Sequence, residues 1–422
     1  MKQRSGLGIF IVLLIAAQGS LAQEVNPALE RHLDDIEVSS SRIRRLDVLE
    51  PVDHAFPTHD AVRAFVRGEL DEQVSPDDAA REMLFYSAFD LLPPETDLRA
   101  VIVELLADQI GGYYDPDSKV MNVVLLTDDT LGDELPLLER LIYSHEYAHA
   151  LQDQHFDLNA LLPDDLAESD PDRALAIQAL VEGDATVVMQ EYMIELSADD
   201  PFGTALQLLG QGLQLGPGGF ALPPNTPPIL EAELTYPYVD GLNFVMALRN
   251  SGGWGAVDAA FADPPQSTEQ VIHPERYLTG DDPVAVTVNN RQSVLGADWS
   301  LGLERTMGEF YLRAYLLTQL GSAQAQRAAA GWGGDRFHIY QNSETGELAW
   351  VLRIVWDTTA DAEEFYTAFL EFGGNRSNVT FVGSCWQSDT DTICLAAGDD
   401  STTTITAAPQ REQALGLLDE AG

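Results

Sequence analysis

The chain has 422 residues, 45% of them hydrophobic, which is enough for a large core and excludes a disordered protein. Its formal net charge is -45, and lysine occurs only at positions 2 and 119. So acidic a surface repels phosphate backbones and anionic membranes, and no nucleic-acid partner is expected.

At the amino terminus, Lys2 and Arg4 precede the apolar run 9–17 and then Ser20-Leu21-Ala22. This pattern, over residues 1–22, is that of a secretory signal peptide cut after Ala22, so the protein is expected to be exported, periplasmic or extracellular. No other apolar stretch approaches membrane length, and no membrane span is expected once the signal is removed. Residues 23–57 are polar, with Ser39-Ser40-Ser41 and Arg42, Arg44 and Arg45 set among acids, and read as a loosely ordered leader or linker. Between 58 and 108, the segments Ala79–Tyr86 and Leu98–Leu106 repeat apolar residues at helical spacing, interrupted by Pro93-Pro94. The turn sequence Gly111-Gly112-Tyr113-Tyr114-Asp115-Pro116-Asp117 leads into Lys119–Leu126, the best strand candidate of this half. Such a strand can border a cleft and pair with an extended substrate, or it can be an ordinary buried strand.

Leu137–His155 carries the pattern His-Glu-x-x-His at His145, Glu146 and His149. Apolar residues at 137, 138, 141, 142, 148 and 151 recur at helical spacing, so the two histidines share one face and can grip one metal ion. In that arrangement two imidazoles hold a zinc ion, and the adjacent carboxylate takes a proton from water activated by the metal. The alternative is a surface helix with two unrelated histidines. Asp153, four residues beyond His149, is a candidate to orient an imidazole.

A catalytic zinc site needs a third protein ligand and an open position, and two candidates compete. His155 has the spacing of the third histidine in the longer motif His-Glu-x-x-His-x-x-Gly-x-x-His, but Gln152 occupies the position where glycine turns the chain. Glu182 lies in a predicted helix over 174–189, in an otherwise apolar stretch that it shares with Asp184. A carboxylate there is costly to bury without a cation, and zinc is the cation available. Asp184 is a further candidate to orient a ligand, and Gly183 permits close approach to the motif helix.

Residues 201–235 are rich in Gly, Pro and Leu and read as a lid, a cleft wall or a connector. Helices are expected at about 239–250 and 255–262, and Ser267 with Gln270 fits a capping box. Tyr236, Tyr238 and above all His273 are candidate donors to a developing oxyanion. Beyond 285 the expected pattern is a helix near 303–320, strands at 337–341 and 348–356, a helix over 361–372, and strands near 379–383, 392–396 and 402–406. That is an α+β arrangement. Cys385 and Cys394, the only cysteines, are expected to close a local disulfide, and a four-cysteine zinc ribbon is excluded.

The segments Gly-Gly-Tyr-Tyr-Asp-Pro, His-Glu-Tyr-x-His-Ala-Leu-Gln-Asp-Gln, Glu-Gly-Asp-Ala and Ser-Thr-Glu-Gln-x-x-His-Pro, spread over roughly 80–340, resemble those of a group of exported bacterial proteins. More broadly, the chain resembles the gluzincins, zinc peptidases with His-Glu-x-x-His and a glutamate ligand on a later helix. That resemblance implies His145, His149 and Glu182 as ligands of one catalytic zinc and Glu146 as general base. It further implies a zincin-like catalytic domain, so the expected fold is a mostly helical α+β domain with a small flanking sheet over 58–284; the pattern beyond it reads as a C-terminal α+β region over 285–422, either a small second domain or a sheet packed on the first. The expected activity is hydrolysis of peptide bonds in a peptide or protein substrate. The alternative is a non-catalytic binding or scaffold protein with a structural or vestigial zinc site.

Overall fold

The computed structural model describes residues 25–419 apart from 59, 65–66, 69–73, 110, 127–129, 164, 200, 202–222, 224 and 399–400. The signal-peptide reading and most of the Gly/Pro-rich stretch at 201–235 therefore lie outside the described residues. The chain divides into two compact units, the first comprising 1–75, 97–166 and 174–265, the second 76–96, 167–173 and 266–422. The break thus falls at 265/266 rather than 284/285, and the helix Pro76–Ala88 belongs with the carboxy-terminal part.

In the first unit the motif helix, Leu137–Phe156, is the centre of construction. Every residue from Tyr143 to Asp153 along it is buried. Asp157 ends it in a left-handed conformation (φ 56°), and its side chain then caps the next short helix at Ala160 N. Against it packs the helix Pro27–Arg44, which corrects the reading of 23–57 as a leader or linker. Asn26 caps this helix by accepting from the N–H groups of Ala28 and Leu29, Pro27 opens it, and Leu29, Leu33, Ile36 and Ile43 form its buried stripe. Ser40 Oγ meets Ser144 Oγ at 3.0 Å, and the Tyr143 hydroxyl donates to Glu37 at 2.7 Å.

A three-stranded sheet flanks the motif helix in the order β1 (Asp53–Ala55), β3 (Val120–Val123), β2 (Gly112–Asp115). β3 pairs parallel with β1 and antiparallel with β2, so the strand read from sequence is central, and its backbone is already taken on both sides. It cannot add an extended peptide; β2 is the edge strand on this side. The unit is completed by the helix Leu98–Gln109, the long helix Pro171–Asp199 from Ala174 onward, and the helices Pro228–Gly252 and Trp254–Ala262.

The second unit is built on a seven-stranded antiparallel sheet ordered β4-β5-β6-β10-β9-β8-β7. Its strands are β4 (Trp299–Arg305), β5 (Trp332–Asn342), β6 (Leu348–Trp356), β7 (Thr380–Val382), β8 (Cys385–Gln387), β9 (Thr392–Ala397) and β10 (Thr402–Ala408). The helix expected near 303–320 is shorter, Gly308–Leu317, because Gly308 (φ 76°) turns the chain between β4 and the helix. Gly308 also has no room for a Cβ, which would fall 1.7 Å from Asp172 Oδ1. The helix Thr359–Asn375 lays Phe365, Phe369 and Phe372 into the core, with Gly373 against the Trp386 ring. Cys385 and Cys394 face each other across β8 and β9 and are disulfide-bonded, as their spacing predicts. The α+β class therefore holds, and no helix among the described residues is long and apolar enough to cross a membrane.

The short helix Thr268–Ile272 starts at Ser267, whose Oγ accepts from Gln270 N, while Gln270 Oε1 accepts from Gln266 N at 2.7 Å. It buries Glu269. Burial, reinforced by the carboxylates of Asp357 and Glu309 and opposed by Arg276, lifts the Glu269 carboxyl to about 9. The folded chain therefore keeps a proton that the unfolded chain releases above its ordinary value of 4.5, so stability falls as pH rises from there to about 9. Glu269→Gln holds this position neutral throughout. Its melting temperature is expected to exceed that of the parent near pH 8 and to vary less between pH 5 and about 9; thermal melts with parallel pH profiles would refute this.

Candidate metal centre

His145 and His149 stand one helical turn apart, their rings 4.7 Å between centroids and nearly perpendicular at 86°. Their Nε2 atoms are 3.1 Å apart. Glu182, from the helix Pro171–Asp199, brings Oε2 to 3.1 Å from His145 Nε2 and 3.5 Å from His149 Nε2. A tetrahedral zinc ion with ligands at ~2.0–2.1 Å has edges of about 3.3–3.4 Å, so these three atoms already outline one face of such a polyhedron. Two imidazole nitrogens and a carboxylate oxygen are also a donor set that suits zinc. Among the described residues this is the one group of His, Cys, Asp or Glu side chains whose ligand atoms gather closely enough to hold a metal.

The electrostatics fit the same donor set. Burial presses the His149 imidazole down, but the charge and hydrogen bond of Glu182 more than offset this and lift it to about 9. Burial alone would raise the Glu182 carboxyl, yet the two imidazoles hold it far below the usual carboxylate range. Glu146 is buried beside them without entering the ligand triangle. Burial raises its carboxyl, the two histidines oppose that, Glu182 adds to it, and a hydrogen bond from the Tyr114 backbone N–H opposes it again.

The groups around the triangle differ from those expected. Asp153 touches neither imidazole: it accepts from the Tyr114 hydroxyl at 2.8 Å, from Lys119 Nζ at 2.6 Å and from Leu158 N. It therefore ties the β2–β3 hairpin to the motif helix, and β2 is the strand whose Tyr114 N–H meets Glu146. The imidazole acceptor is Gln152, whose Oε1 lies 2.9 Å from His149 Nδ1. In the sequence Gln152 registered only as a non-glycine, yet it sits three residues after His149, one turn along the same face, which is the signal that could have found it. Asp184 reaches the centre through Gln152, accepting from its Nε2 at 2.9 Å.

Gly183 does allow a close approach, but to the helix Pro228–Gly252 rather than to the motif helix. A Cβ on Gly183 would fall 2.2 Å from the Gly241 carbonyl, and one on Gly241 would fall 2.1 Å from Ala179 O. This glycine-to-glycine crossing brings Tyr238, one turn before Gly241, to the ligands. Its ring centroid is 6.0 Å from that of His145, and its hydroxyl hydrogen-bonds Glu182, with burial and then the Glu182 and Glu146 charges pushing its ionisation well up. Tyr236 is buried on the same helix.

Two of the histidines singled out in the sequence lie elsewhere. His155, near the exposed end of the motif helix, bonds Asp47 O at 2.8 Å and is no part of the triangle. His273 belongs to the second unit, where its Nε2 lies 3.1 Å from both Glu309 Oε1 and Arg313 Nη2.

A family described as a domain of unknown function (DUF8575) matches residues 300–418, the stretch from β4 to the C-terminal helix. His145, Glu146, His149 and Glu182 lie outside that stretch. No curated protein matches the chain, and no solved structure does.

Two outcomes follow from this geometry. With the His149 imidazole at about 9, an incoming divalent ion displaces a proton at neutral pH, so apparent zinc affinity should climb roughly tenfold per pH unit and level off near that value. Titration against a competing chelator reads this slope, and a flat profile from pH 6 to about 9 would contradict it. Gly183→Ala or Gly241→Ala should cost roughly 1–3 kcal/mol in denaturant unfolding, because the crossing must open. Stability equal to the parent's would show that the helices have slack there.

Proposed function

We propose that this chain is an exported, zinc-dependent metallopeptidase of gluzincin type that hydrolyses peptide bonds in a peptide or protein substrate. The observation that carries the reading is the convergence of His145 Nε2, His149 Nε2 and Glu182 Oε2 with the buried Glu146 carboxylate alongside. Helices packed beside a small sheet, with the three candidate ligands on two of those helices and an edge strand against Glu146, support the reading of a zincin-like domain.

When bound, zinc supplies Lewis acidity, which lowers the pKa of water and polarises a carbonyl. The remaining work falls to the chain. His145, His149 and Glu182 hold the ion. Glu146 accepts a proton from the attacking water and returns it to the leaving amine; a carboxyl raised by burial is better matched to that exchange near neutral pH than an ordinary glutamate. Tyr238 supplies a hydroxyl at the ligand triangle, kept protonated by its surroundings, and replaces His273 as the first candidate to donate to the carbonyl oxygen as charge develops there. An extended substrate has β2 available as an edge, and not β3. The second reading, a structural or vestigial zinc site in a binding protein, leaves Glu146 without a task, since a structural site needs no base beside its ligands.

The test is hydrolysis of a broad peptide library by protein of known zinc content. Glu146→Gln should keep zinc and lose about 10²–10⁴-fold in rate, whereas a chelator should remove both. Glu182→Ala should weaken zinc binding far more than His155→Ala. Substoichiometric zinc in the purified protein, or undiminished hydrolysis by Glu146→Gln, would end the proposal.

A further inference from the structure

Arg44 is the last residue of the helix Pro27–Arg44 and is fully buried, as is Asp184. Its Nε lies 2.7 and 2.8 Å from the two oxygens of Asp184, its Nη1 lies 2.8 Å from Asp258 Oδ1, and its guanidinium sits 4.5 Å from the centroid of the Trp254 ring. A buried guanidinium engaged on three sides is fixed in place, and it remains charged because the carboxylates outweigh the cost of burial.

From Arg44 a directed chain of hydrogen bonds leads to the ligands. Asp184 Oδ2 accepts from Gln152 Nε2 at 2.9 Å, and Val181 O accepts from the same nitrogen at 3.0 Å. Both amide protons of Gln152 are thereby engaged, so the amide has one orientation, with Oε1 toward His149. At 2.9 Å from His149 Nδ1, an oxygen that can only accept requires that nitrogen to carry its hydrogen. The Nε2 lone pair is then the one left to face His145 and Glu182. If the amide flipped, its NH₂ would face Nδ1, the hydrogen would move to Nε2, and the ligand would be blocked.

We propose that Arg44 is a positioning residue for the metal centre, acting through Asp184 and Gln152 to hold the tautomer of His149 that presents Nε2 to the ion. The proposal rests on the reading of His145, His149 and Glu182 as a metal site, and it makes the N-terminal helix a working part of that site.

The experiment uses the full chain and reads two quantities. One is zinc affinity, by competition with a chromophoric chelator. The other is the tautomer of His149 in the metal-free protein, from long-range proton–nitrogen correlations at a pH where the imidazole is neutral. Gln152→Met breaks the last link and leaves the Arg44–Asp184 pair intact. It should lower zinc affinity about 10–100-fold and let the Nε2-protonated form appear. Arg44→Met should do the same, and Arg44→Lys should restore part of the affinity, which a loss of folding alone would not do. Because Arg44→Met strands a buried carboxylate, the double variant Arg44→Met/Asp184→Asn tests the same link without an uncompensated charge. It should retain the parent's circular dichroism and still lose affinity. The proposal is overturned if Gln152→Met keeps both zinc affinity and tautomer, or if the arginine variants lose zinc only in proportion to lost structure. Should the parent bind no zinc, the metallopeptidase reading fails, while the tautomer measurement still decides whether Arg44 controls His149.

Discussion

The structure of the first unit depends on one electrostatic constraint: two imidazoles and a carboxylate, all largely shielded from water, lie 3.1–3.5 Å apart. Nothing apolar stabilises such a cluster, so a proton or a metal ion must supply positive charge between the groups. The raised His149 imidazole and the depressed Glu182 carboxyl are the two sides of that requirement when a proton does the work. Burying the cluster needs cover on every side of the motif helix. The sheet, the N-terminal helix and the helices carrying Glu182 and Tyr238 provide that cover, each by a local device: small residues at the crossing, an edge strand of glycine and tyrosine, and a capped amphipathic helix.

Much of this was legible in the sequence where a pattern and a chemical need coincide. His-Glu-x-x-His on a helical repeat locates the motif helix, and a glutamate inside an apolar helix stands out because burying it demands a partner. The cysteine pair and most carboxy-terminal strands follow from spacing and alternation. What escaped were features defined by partners distant in the chain. The stripe Leu29, Leu33, Ile36, Ile43 is thin and surrounded by charges, so the helix Pro27–Arg44 looked like a linker until its buried face met the motif helix. β4 hides in a run whose apolar residues also suit a helix, and only Gly308 in a left-handed turn separates the two. The central position of β3 is a property of sheet order, which alternation within one strand does not encode.

Oriented contacts escaped for a related reason. Asp153 and Gln152 are neighbours, and both lie within one turn of His149. A carboxylate is the stronger acceptor, so charge alone favours Asp153 as the imidazole's partner. The observed choice is the reverse because Lys119 and Tyr114 claim Asp153 from the hairpin, while Val181 and Asp184 hold the Gln152 amide in the one orientation that offers His149 an oxygen. The orientation of the imidazole is therefore decided by what lies behind its partner as much as by the partner itself.

The extreme acidity of the chain gives that point a wider meaning. With 23 Lys and Arg against 68 Asp and Glu, cations are scarce, and several of them are placed inside. Arg305 is paired with Glu82, Arg313 with Glu309, and Arg44 with Asp184, each carboxylate being buried. Each such arginine neutralises an acid at a position where removing either partner would strand a charge. Glu182 stands apart from this scheme, since the nitrogen groups facing it are imidazoles, whose charge can be withdrawn. A guanidinium at that position would hold its charge at every accessible pH. Two imidazoles instead give it partners that can gain or lose a proton, while the nearest arginine along the hydrogen-bond chain, Arg44, stands behind Asp184 and Gln152.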